Sequence, residues 1–131
     1  MKTTEKPTLQ DFHIEGVTHI APQDALDAVR RGEAVLLDVR EENEWKIETI
    51  PLYYVYYQPM SVIMERLSYI PRDKAIITVS QSGERGTRVA NLLNANGFAC
   101  VANLDGGFLE WKSTGLPIDN KLSFGCSCGC R

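Results

Sequence analysis

The sequence lacks the features of a membrane-spanning, secreted or nucleic-acid-binding protein. No apolar run approaches the roughly 20 residues that a transmembrane helix requires. The first seven residues are polar and include an acidic group, so no signal peptide is visible. Lysine and arginine number 14 against 17 aspartates and glutamates, so the chain has no basic excess for nucleic acid. We therefore expect a cytoplasmic protein with neither a nucleic-acid nor a membrane partner.

Cysteine is also scarce in the body of the chain. Of the four cysteines, Cys126, Cys128 and Cys130 lie close to the C-terminus, and only Cys100 lies elsewhere. A secreted domain stabilised by disulfides would distribute its cysteines through the fold. The sequence therefore predicts no disulfide framework. We expect Cys100, which lies in a predicted strand, to behave as a small buried apolar group.

What the chain does contain is the composition of one globular domain. A chain of 131 residues, 44% of them hydrophobic and 24% charged, can bury a core without metal or disulfide support. Short strand-like runs alternate with apolar residues at helical spacing. Strands are predicted at residues 17–20, 34–39, 52–57, 75–79 and 100–104. This alternation predicts an α/β fold with a mainly parallel five-stranded sheet and helices on both faces.

Three segments are predicted along the chain: an N-terminal arm (residues 1–16), a folded domain (17–118) and a cysteine-rich tail (119–131). The three tail thiols alternate with other residues, a pattern compatible with sulfur relay, with thiol exchange or with a soft metal such as Cu(I) or Zn(II). Their spacing does not match common structural zinc sites, which use C-x₂₋₄-C pairs. A further alternative, which stays open, is that the tail is prone to oxidation and has no function. No metal and no cofactor are predicted.

The loop that begins at Ser80 is the candidate functional site. It follows a predicted buried strand and precedes a helix, and open parallel sheets bind ligands beyond the carboxyl ends of their strands. Backbone amides in such a loop can converge on an anion, and glycines allow the tight path. A thiol at the first position would be a reactive thiolate, whereas a serine hydroxyl needs an activating base. From the spacing alone, an ordinary strand-to-helix turn stays open. The candidate anion-binding residues are Gln81, Ser82, Gly83, Glu84, Arg85 and Gly86.

Several motifs in order resemble those of rhodanese-like domains. Residues 36–41 (LLDVRE) resemble the family's "IDVRE", and Glu44-Trp45 follows as the family's Glu-Trp. Residues 77–86 (ITVSQSGERG) resemble the active-site stretch "vvyCxSGxRS". Residues 96–98 (NGF) and 104–111 (LDGGFLEW) match "GF…V.nLxGGixxW", and residues 115–117 match the closing "GLP". The match is collinear over about residues 17–117, and it implies a rhodanese-like single domain.

The resemblance implies a sulfurtransferase or sulfur carrier. In the family, a cysteine takes sulfane sulfur from a donor such as thiosulfate, forms a persulfide, and passes the sulfur to a thiol acceptor, including an acceptor protein, or to cyanide. Ser80 occupies the position of that cysteine, and oxygen cannot form a persulfide. We therefore expect Ser80 and Arg85 to mark the catalytic position but the domain to be inactive there. Either an introduced Cys-to-Ser change or natural loss of the nucleophile accounts for the serine, and both stay open.

Two further functions compete with this one. The domain could be a non-catalytic module that binds an anion or a protein through the same loop, or a thiol carrier centred on Cys126, Cys128 and Cys130. Residues 48–53 (ETIPLY) depart from the family's "GHIPGA", and this departure favours natural loss of the nucleophile by divergence from the family. Four residues separate Ser80 from Arg85, whereas phosphatases of this fold have five, so a phosphatase is disfavoured.

The charged residues near the loop have structural alternatives. Arg85 could hydrogen-bond an anion bidentately, or form a salt bridge with Asp38 or Glu41 that holds the loop. For Asp38 and Arg40 we favour a structural role close to the site, in which they fix the turn that follows their strand. Glu84 is expected to face water, because a carboxylate pointing inward would oppose anion binding.

Overall fold

The structure is a computed structural model, and it describes residues 1–121. Helices and strands alternate along the chain as the sequence predicts. The strands are β1 (Thr3–Thr4), β2 (Thr18–Ile20), β3 (Ala34–Asp38), β4 (Glu48–Thr49), β5 (Val55–Tyr57), β6 (Ala75–Val79), β7 (Val101–Leu104) and β8 (Asp119–Asn120). The helices are α1 (Pro22–Arg30), α2 (Glu42–Trp45), α3 (Glu84–Ala95) and α4 (Gly107–Ser113), with a 3₁₀ segment at Met60–Tyr69.

The main sheet has the strand order β1-β2-β7-β6-β3-β5. The pairs β2–β7, β7–β6, β6–β3 and β3–β5 are parallel, and β1 pairs antiparallel with β2. The α/β class and the mainly parallel sheet are therefore confirmed. The sheet has six strands instead of the predicted five because Thr3–Thr4, in the polar arm, adds an edge strand that no hydrophobic pattern announces.

Helices cover both faces of this sheet, and β3 shows why. Ala34 and Leu36 lie in the core cluster that includes residues of α1 and α4. Val35 and Leu37 lie in the second cluster, formed with α3 and the 3₁₀ segment. Successive side chains of a strand point to opposite faces, so a continuous apolar run requires cover on both sides.

The tyrosine-rich segment is shorter as a strand than the predicted 52–57. Only Val55–Tyr57 pairs, and β5 lies at the edge of the sheet beside β3. Tyr53 is 91% exposed, and Tyr54 and Tyr56 are 45% and 37% exposed. Apolar and aromatic composition alone did not distinguish this edge strand from a buried one.

The candidate residues follow the carboxyl ends of the parallel strands, so they lie together on one side of the sheet, where these strands end. β3 leads to Arg40, β6 leads to Ser80, and β7 leads to Asp105. The backbone N–H of Val39 donates to the carbonyl of Val79 at 2.8 Å, so the first two exits lie side by side. Among the helices of residues 1–121, none has the length and apolar character needed to cross a membrane.

Candidate active-site loop

The loop after β6 folds back on the side chain of Ser80. Ser80 is fully buried, and its Oγ accepts hydrogen bonds from the backbone N–H groups of Gly83 (3.1 Å) and Gly86 (2.8 Å). Two amides, three and six residues further on, thus converge on the side-chain atom of the first loop residue. An anionic atom at this position would receive the same two donors, and hydrogen bonds to charged acceptors are stronger than those between neutral groups.

Two glycines make this path possible. Gly83 has a left-handed backbone (φ 103°), and a Cβ there would lie 1.8 Å from Oε1 of Gln10. A Cβ on Gly86 would lie 2.4 Å from Oδ1 of Asn103 and 3.1 Å from Oγ of Ser80. A side chain at Gly83 would displace Gln10 and strain the backbone, and a side chain at Gly86 would displace the amide of Asn103.

Helix α4 holds the other side of the loop. The N–H of Phe108 donates to the carbonyl of Ser80 at 2.7 Å, and the N–H of Leu109 donates to the carbonyl of Gln81 at 3.0 Å. The amides of Gly83 and Gly86 therefore donate to the Ser80 side chain, whereas the carbonyls of Ser80 and Gln81 accept from α4. This arrangement fixes the loop between α3 and α4.

Arg85 forms an ion pair with Glu44. Its Nη1 and Nη2 donate to the two carboxylate oxygens of Glu44 at 2.7 and 2.8 Å. The hydrogen bonds from Arg85 lower the pKa of Glu44, and the same contact raises the pKa of Arg85. The salt-bridge alternative had the wrong partners, since it named Asp38 or Glu41. Glu44 lies on α2, and the sequence offered no way to choose among the acidic residues that follow β3.

Arg40 and Asp38 form a second, buried pair beside the loop. Nε of Arg40 donates to both carboxylate oxygens of Asp38 (3.0 and 3.2 Å), and Nη2 donates to Oδ2 at 2.9 Å. Nη2 also donates to the carbonyl of Glu48, and the guanidinium lies over the ring of Phe108. Because Oδ1 of Asp38 also accepts the backbone N–H of Arg40, the pair fixes the turn after β3.

A pocket of about 300 Å³ opens beside these two pairs. Its lining residues are Arg40, Glu44, Ile47, Glu48 and Gln81. Gln81 directly follows Ser80, so this pocket reaches the first part of the loop. Ser82 and Glu84 line a different pocket, together with residues of the arm. Glu84 is exposed and pairs with Arg88, so it faces water.

A model of the rhodanese-like domain family matches residues 21–114, which is more than half of the chain. The chain belongs to the rhodanese-like domain family. It is similar to the sulfurtransferase of Allochromatium vinosum, with 34% identity over 86 residues, covering 66% of this chain and 78% of that protein. It is also similar to the thiosulfate sulfurtransferase GlpE of Pseudomonas savastanoi pv. phaseolicola, with 31% identity over 93 residues, covering 71% and 86%.

A solved structure shows the same fold. The crystal structure of a rhodanese-related protein from Thermoplasma volcanium superposes with a TM-score of 0.70 at 24% identity, covering 77% of this chain and 96% of that one. The rhodanese-like fold is thereby confirmed over 77% of the chain, and the family resemblance in the motifs is confirmed over residues 21–114.

One thiol of this rhodanese-like domain, that of Cys100, differs from its predicted environment. Cys100 is exposed and precedes β7, so the prediction of a buried strand residue was wrong. Its carbonyl accepts a hydrogen bond from the N–H of Ile76, near the start of β6, whereas Ser80 follows the end of that strand. Cys126, Cys128 and Cys130 lie outside the described residues. Within residues 1–121, no cluster of three or more His, Cys, Asp or Glu side chains could hold a metal ion.

The N-terminal arm of the rhodanese-like domain contributes a residue that the sequence analysis missed. Oε1 of Gln10 accepts from Nδ2 of Asn103 (3.0 Å) and from the N–H of Gly106 (2.8 Å). Its Nε2 donates to Oγ1 of Thr87 at 3.0 Å and, more weakly, to the carbonyl of Gly83 at 3.4 Å. Gln10 therefore joins the loop, α3 and the end of β7. Because these partners of Gln10 lie 73 to 96 residues away in the sequence, no local pattern in the polar arm predicts the contacts.

Two histidines extend this network. Nδ1 of His13 lies 2.9 Å from Nε2 of His19, and Nδ1 of His19 lies 3.1 Å from Nδ2 of Asn103. His19 is fully buried in β2, and burial is the main cause that lowers its pKa, followed by the charge of His13. The arm is thus connected to the loop through buried polar contacts.

Proposed function

We propose that this rhodanese-like domain takes part in sulfane-sulfur transfer from a small anion such as thiosulfate, and that residue 80 is not its nucleophile. The supporting observation is the position of Ser80 Oγ, which accepts the amides of Gly83 and Gly86 inside a closed loop. A cysteine sulfur at this point would be stabilised as a thiolate by the same donors. The loop therefore has the geometry for a sulfur anion, while its first residue carries oxygen.

Family membership and the named relatives support the donor class. One relative is named a thiosulfate sulfurtransferase, and the chain covers 86% of its length. The proposed donor is therefore thiosulfate or a similar sulfur-containing anion, and the proposed acceptor is a thiol, including a thiol on a protein. Serine oxygen cannot carry sulfane sulfur, so the domain needs a thiol other than residue 80 for turnover.

The test restores the thiol at residue 80 and compares it with a thiol two residues away. Ser80→Cys is expected to gain thiosulfate:cyanide sulfurtransferase activity and a mass of about 32 Da, one sulfur atom, on residue 80. Ser82→Cys is the matched control, because Ser82 lies in the same loop but is exposed and lines the other pocket. It is expected to gain neither. A folded Ser80→Cys protein that takes up no sulfur would contradict the proposal.

One observation favours a second candidate, a non-catalytic module that binds an anion or a protein through the loop. Arg85 already has a carboxylate partner, so its charge is not free for a reacting anion. In this case Ser80→Cys gives no turnover, whereas the unmodified chain binds sulfite or thiosulfate in calorimetry, and Glu44→Gln, which frees the charge of Arg85, strengthens that binding. Turnover by Ser80→Cys would decide against the non-catalytic module.

A further inference from the structure

The side-chain amide of Gln10 has an orientation that two backbone groups fix. Its Oε1 accepts from the N–H of Gly106 at 2.8 Å, and its Nε2 donates to the carbonyl of Phe12 at 2.8 Å. A backbone N–H can only donate and a carbonyl can only accept, so the two ends of this amide cannot be exchanged. The atom of Asn103 that lies 3.0 Å from Oε1 of Gln10 must therefore be the donor Nδ2.

This polarity continues into the histidine pair (His13 and His19). Nδ2 of Asn103 lies 3.1 Å from Nδ1 of His19, and an amide nitrogen can only donate, so this Nδ1 carries no proton. Burial lowers the pKa of His19, which keeps the ring neutral near neutral pH, with its proton on Nε2. That Nε2 lies 2.9 Å from Nδ1 of His13, so His13 carries its proton on its own Nε2, 3.9 Å from the exposed carboxylate of Glu15. The hydrogen bonds from Gly106 to His13 therefore form one chain in which every donor and acceptor is assigned.

A proton taken up by the histidine pair would change the inner end of this chain. Neither ring has a free nitrogen lone pair, because each Nδ1 accepts a hydrogen bond and each Nε2 carries a proton. With one more proton, the pair holds one hydrogen between the rings and one at each outer nitrogen. Nδ1 of His19 then becomes a donor and faces the donor Nδ2 of Asn103 at 3.1 Å, which is unfavourable for both groups.

The amide of Asn103 has a second orientation that resolves this conflict. Its Oδ1 is buried and has no hydrogen-bond partner within residues 1–121, and it lies close enough to Gly86 that a Cβ there would be 2.4 Å away. Turning the amide presents this oxygen to the protonated His19, so that the unpaired acceptor gains a donor. The same turn places an oxygen against Oε1 of Gln10, and the contact between the two amides is lost.

The charges that face His19 favour the uptake of one proton rather than two. His13 in the arm disfavours a charged ring, whereas Asp105, at the end of β7, favours it. Both carboxylate oxygens of Asp105 accept backbone N–H groups of the arm, at 2.8 and 3.0 Å. On α3, Arg88 is paired with Glu84. Because the two rings repel each other's charge, the first proton belongs to the pair and the second is taken up at lower pH.

We propose that the N-terminal arm is a proton-sensitive latch on the Ser80 loop. One proton, taken up from solvent by the histidine pair, turns the amide of Asn103 and detaches Gln10 from it. Gln10 holds the carbonyl of Gly83 from the side of the arm, so its release loosens the segment whose amides bond the side chain of residue 80. The loop is closed at neutral pH and loosened in acid. The latch concerns the loop itself and applies to either candidate function.

Nuclear magnetic resonance of the unmodified chain tests the latch directly. At about pH 7.5, the ring nitrogen shifts are expected to show Nε2–H in both histidines. As the pH falls to about 5, the side-chain amide of Asn103 and the backbone N–H of Gly83 are expected to shift with the same midpoint as His19. Gly97, beyond the other end of α3, is the internal control. A proton on Nδ1 of His19 at the higher pH would overturn the latch. So would an unchanged Gly83 amide while His19 titrates, the result expected if His13 turns into solvent instead.

Thiosulfate binding, measured by calorimetry, separates the latch from a simple effect of charge. A positive charge gained near the loop would strengthen the binding of an anion, whereas a loosened loop weakens it. We expect the affinity of the unmodified chain to fall about fivefold or more between about pH 7.5 and 5. His19→Asn, whose side-chain oxygen can accept from Nδ2 of Asn103 but does not titrate, is expected to lose this dependence. Equal or stronger binding by the unmodified chain at the lower pH contradicts the latch.

The two measurements also distinguish failure of the latch from failure of the proposed function. If the chain binds no thiosulfate at either pH, the proposed anion is wrong, and the magnetic resonance titration decides the latch alone. In that case a shared midpoint of His19 and Gly83 supports the latch, and separate midpoints overturn it. Because this titration uses the unmodified chain, it is decisive even if His19→Asn does not fold.

Discussion

Arg85 and Glu44 meet through two parallel hydrogen bonds of 2.7 and 2.8 Å, and this contact joins α3 to α2 at the mouth of the Ser80 loop. Both side chains are partly buried, so the pair is less exposed to solvent screening than an ordinary surface ion pair. The guanidinium that follows the loop is therefore neutralised by the protein itself. Its availability to an anion depends on the carboxylate of Glu44.

Removing that carboxylate is expected to strengthen anion binding. Glu44→Gln frees the charge of Arg85 and is expected to lower the dissociation constant for thiosulfate or sulfite, measured by calorimetry. It also removes a bidentate ion pair, for which we expect a loss of about 1 kcal/mol in the free energy of unfolding. Glu42→Gln, which changes an exposed carboxylate of the same helix, is the control and is expected to alter neither quantity. Unchanged anion affinity in Glu44→Gln would contradict this assignment for Arg85.

Gln10→Ala is expected to destabilise the protein although residue 10 lies in a polar arm. The side chain bonds the N–H of Gly106 and the side chains of Asn103 and Thr87, and its loss leaves these groups without that partner. Leaving a buried polar group unsatisfied costs about 1–3 kcal/mol. Urea denaturation measures the change, and Asp11→Ala at the exposed neighbour provides the comparison. A similar midpoint for the two variants would show that the arm does not support the loop.

Gly86→Ala is expected to destabilise the protein, against the usual preference of a helix for alanine. The added Cβ would lie 2.4 Å from Oδ1 of Asn103, whose amide nitrogen bonds Gln10 and His19. Repositioning this buried amide disrupts the network beneath the loop, so we expect a loss of about 1–3 kcal/mol. Asn91→Ala, at an exposed position of the same helix, is expected to be neutral or slightly stabilising. Thermal unfolding of both variants measures the difference.

The stability of the fold is expected to fall as the pH drops below the ordinary histidine range. Burial lowers the pKa of His19 below its usual 6.5, so the unfolded chain binds a proton more readily than the folded chain. Stability is therefore fully present above that value and is lost progressively below it. Denaturation between about pH 7.5 and 5.5 should show a decline that is smaller in His19→Asn. Glu44 contributes in a lower window, because its own pKa is lowered from 4.5. An equal decline in both proteins would exclude His19 as its source.

The outline of the fold could be predicted because its information is local. The apolar run at residues 34–38 requires cover on both faces, and its alternate side chains do lie in the two core clusters. The strand–loop–helix succession around Ser80 is likewise visible in the order of residues along the chain. The short edge strand at Thr3–Thr4 and the limits of β5 were not predicted, since pairing at an edge depends on neighbours rather than on composition.

The order of residue types thus determined the α/β class, the position of the loop and the hydroxyl at its first residue. The folded chain alone decided that Arg85 pairs with Glu44, that Gln10 supports the loop, that Cys100 is exposed, and that Lys121 lies beside Ile47. Periodicity reports which face of an element is buried, because neighbouring residues share that element. Contacts between residues that are 41 to 96 positions apart depend on how the elements pack, and no single segment carries that information.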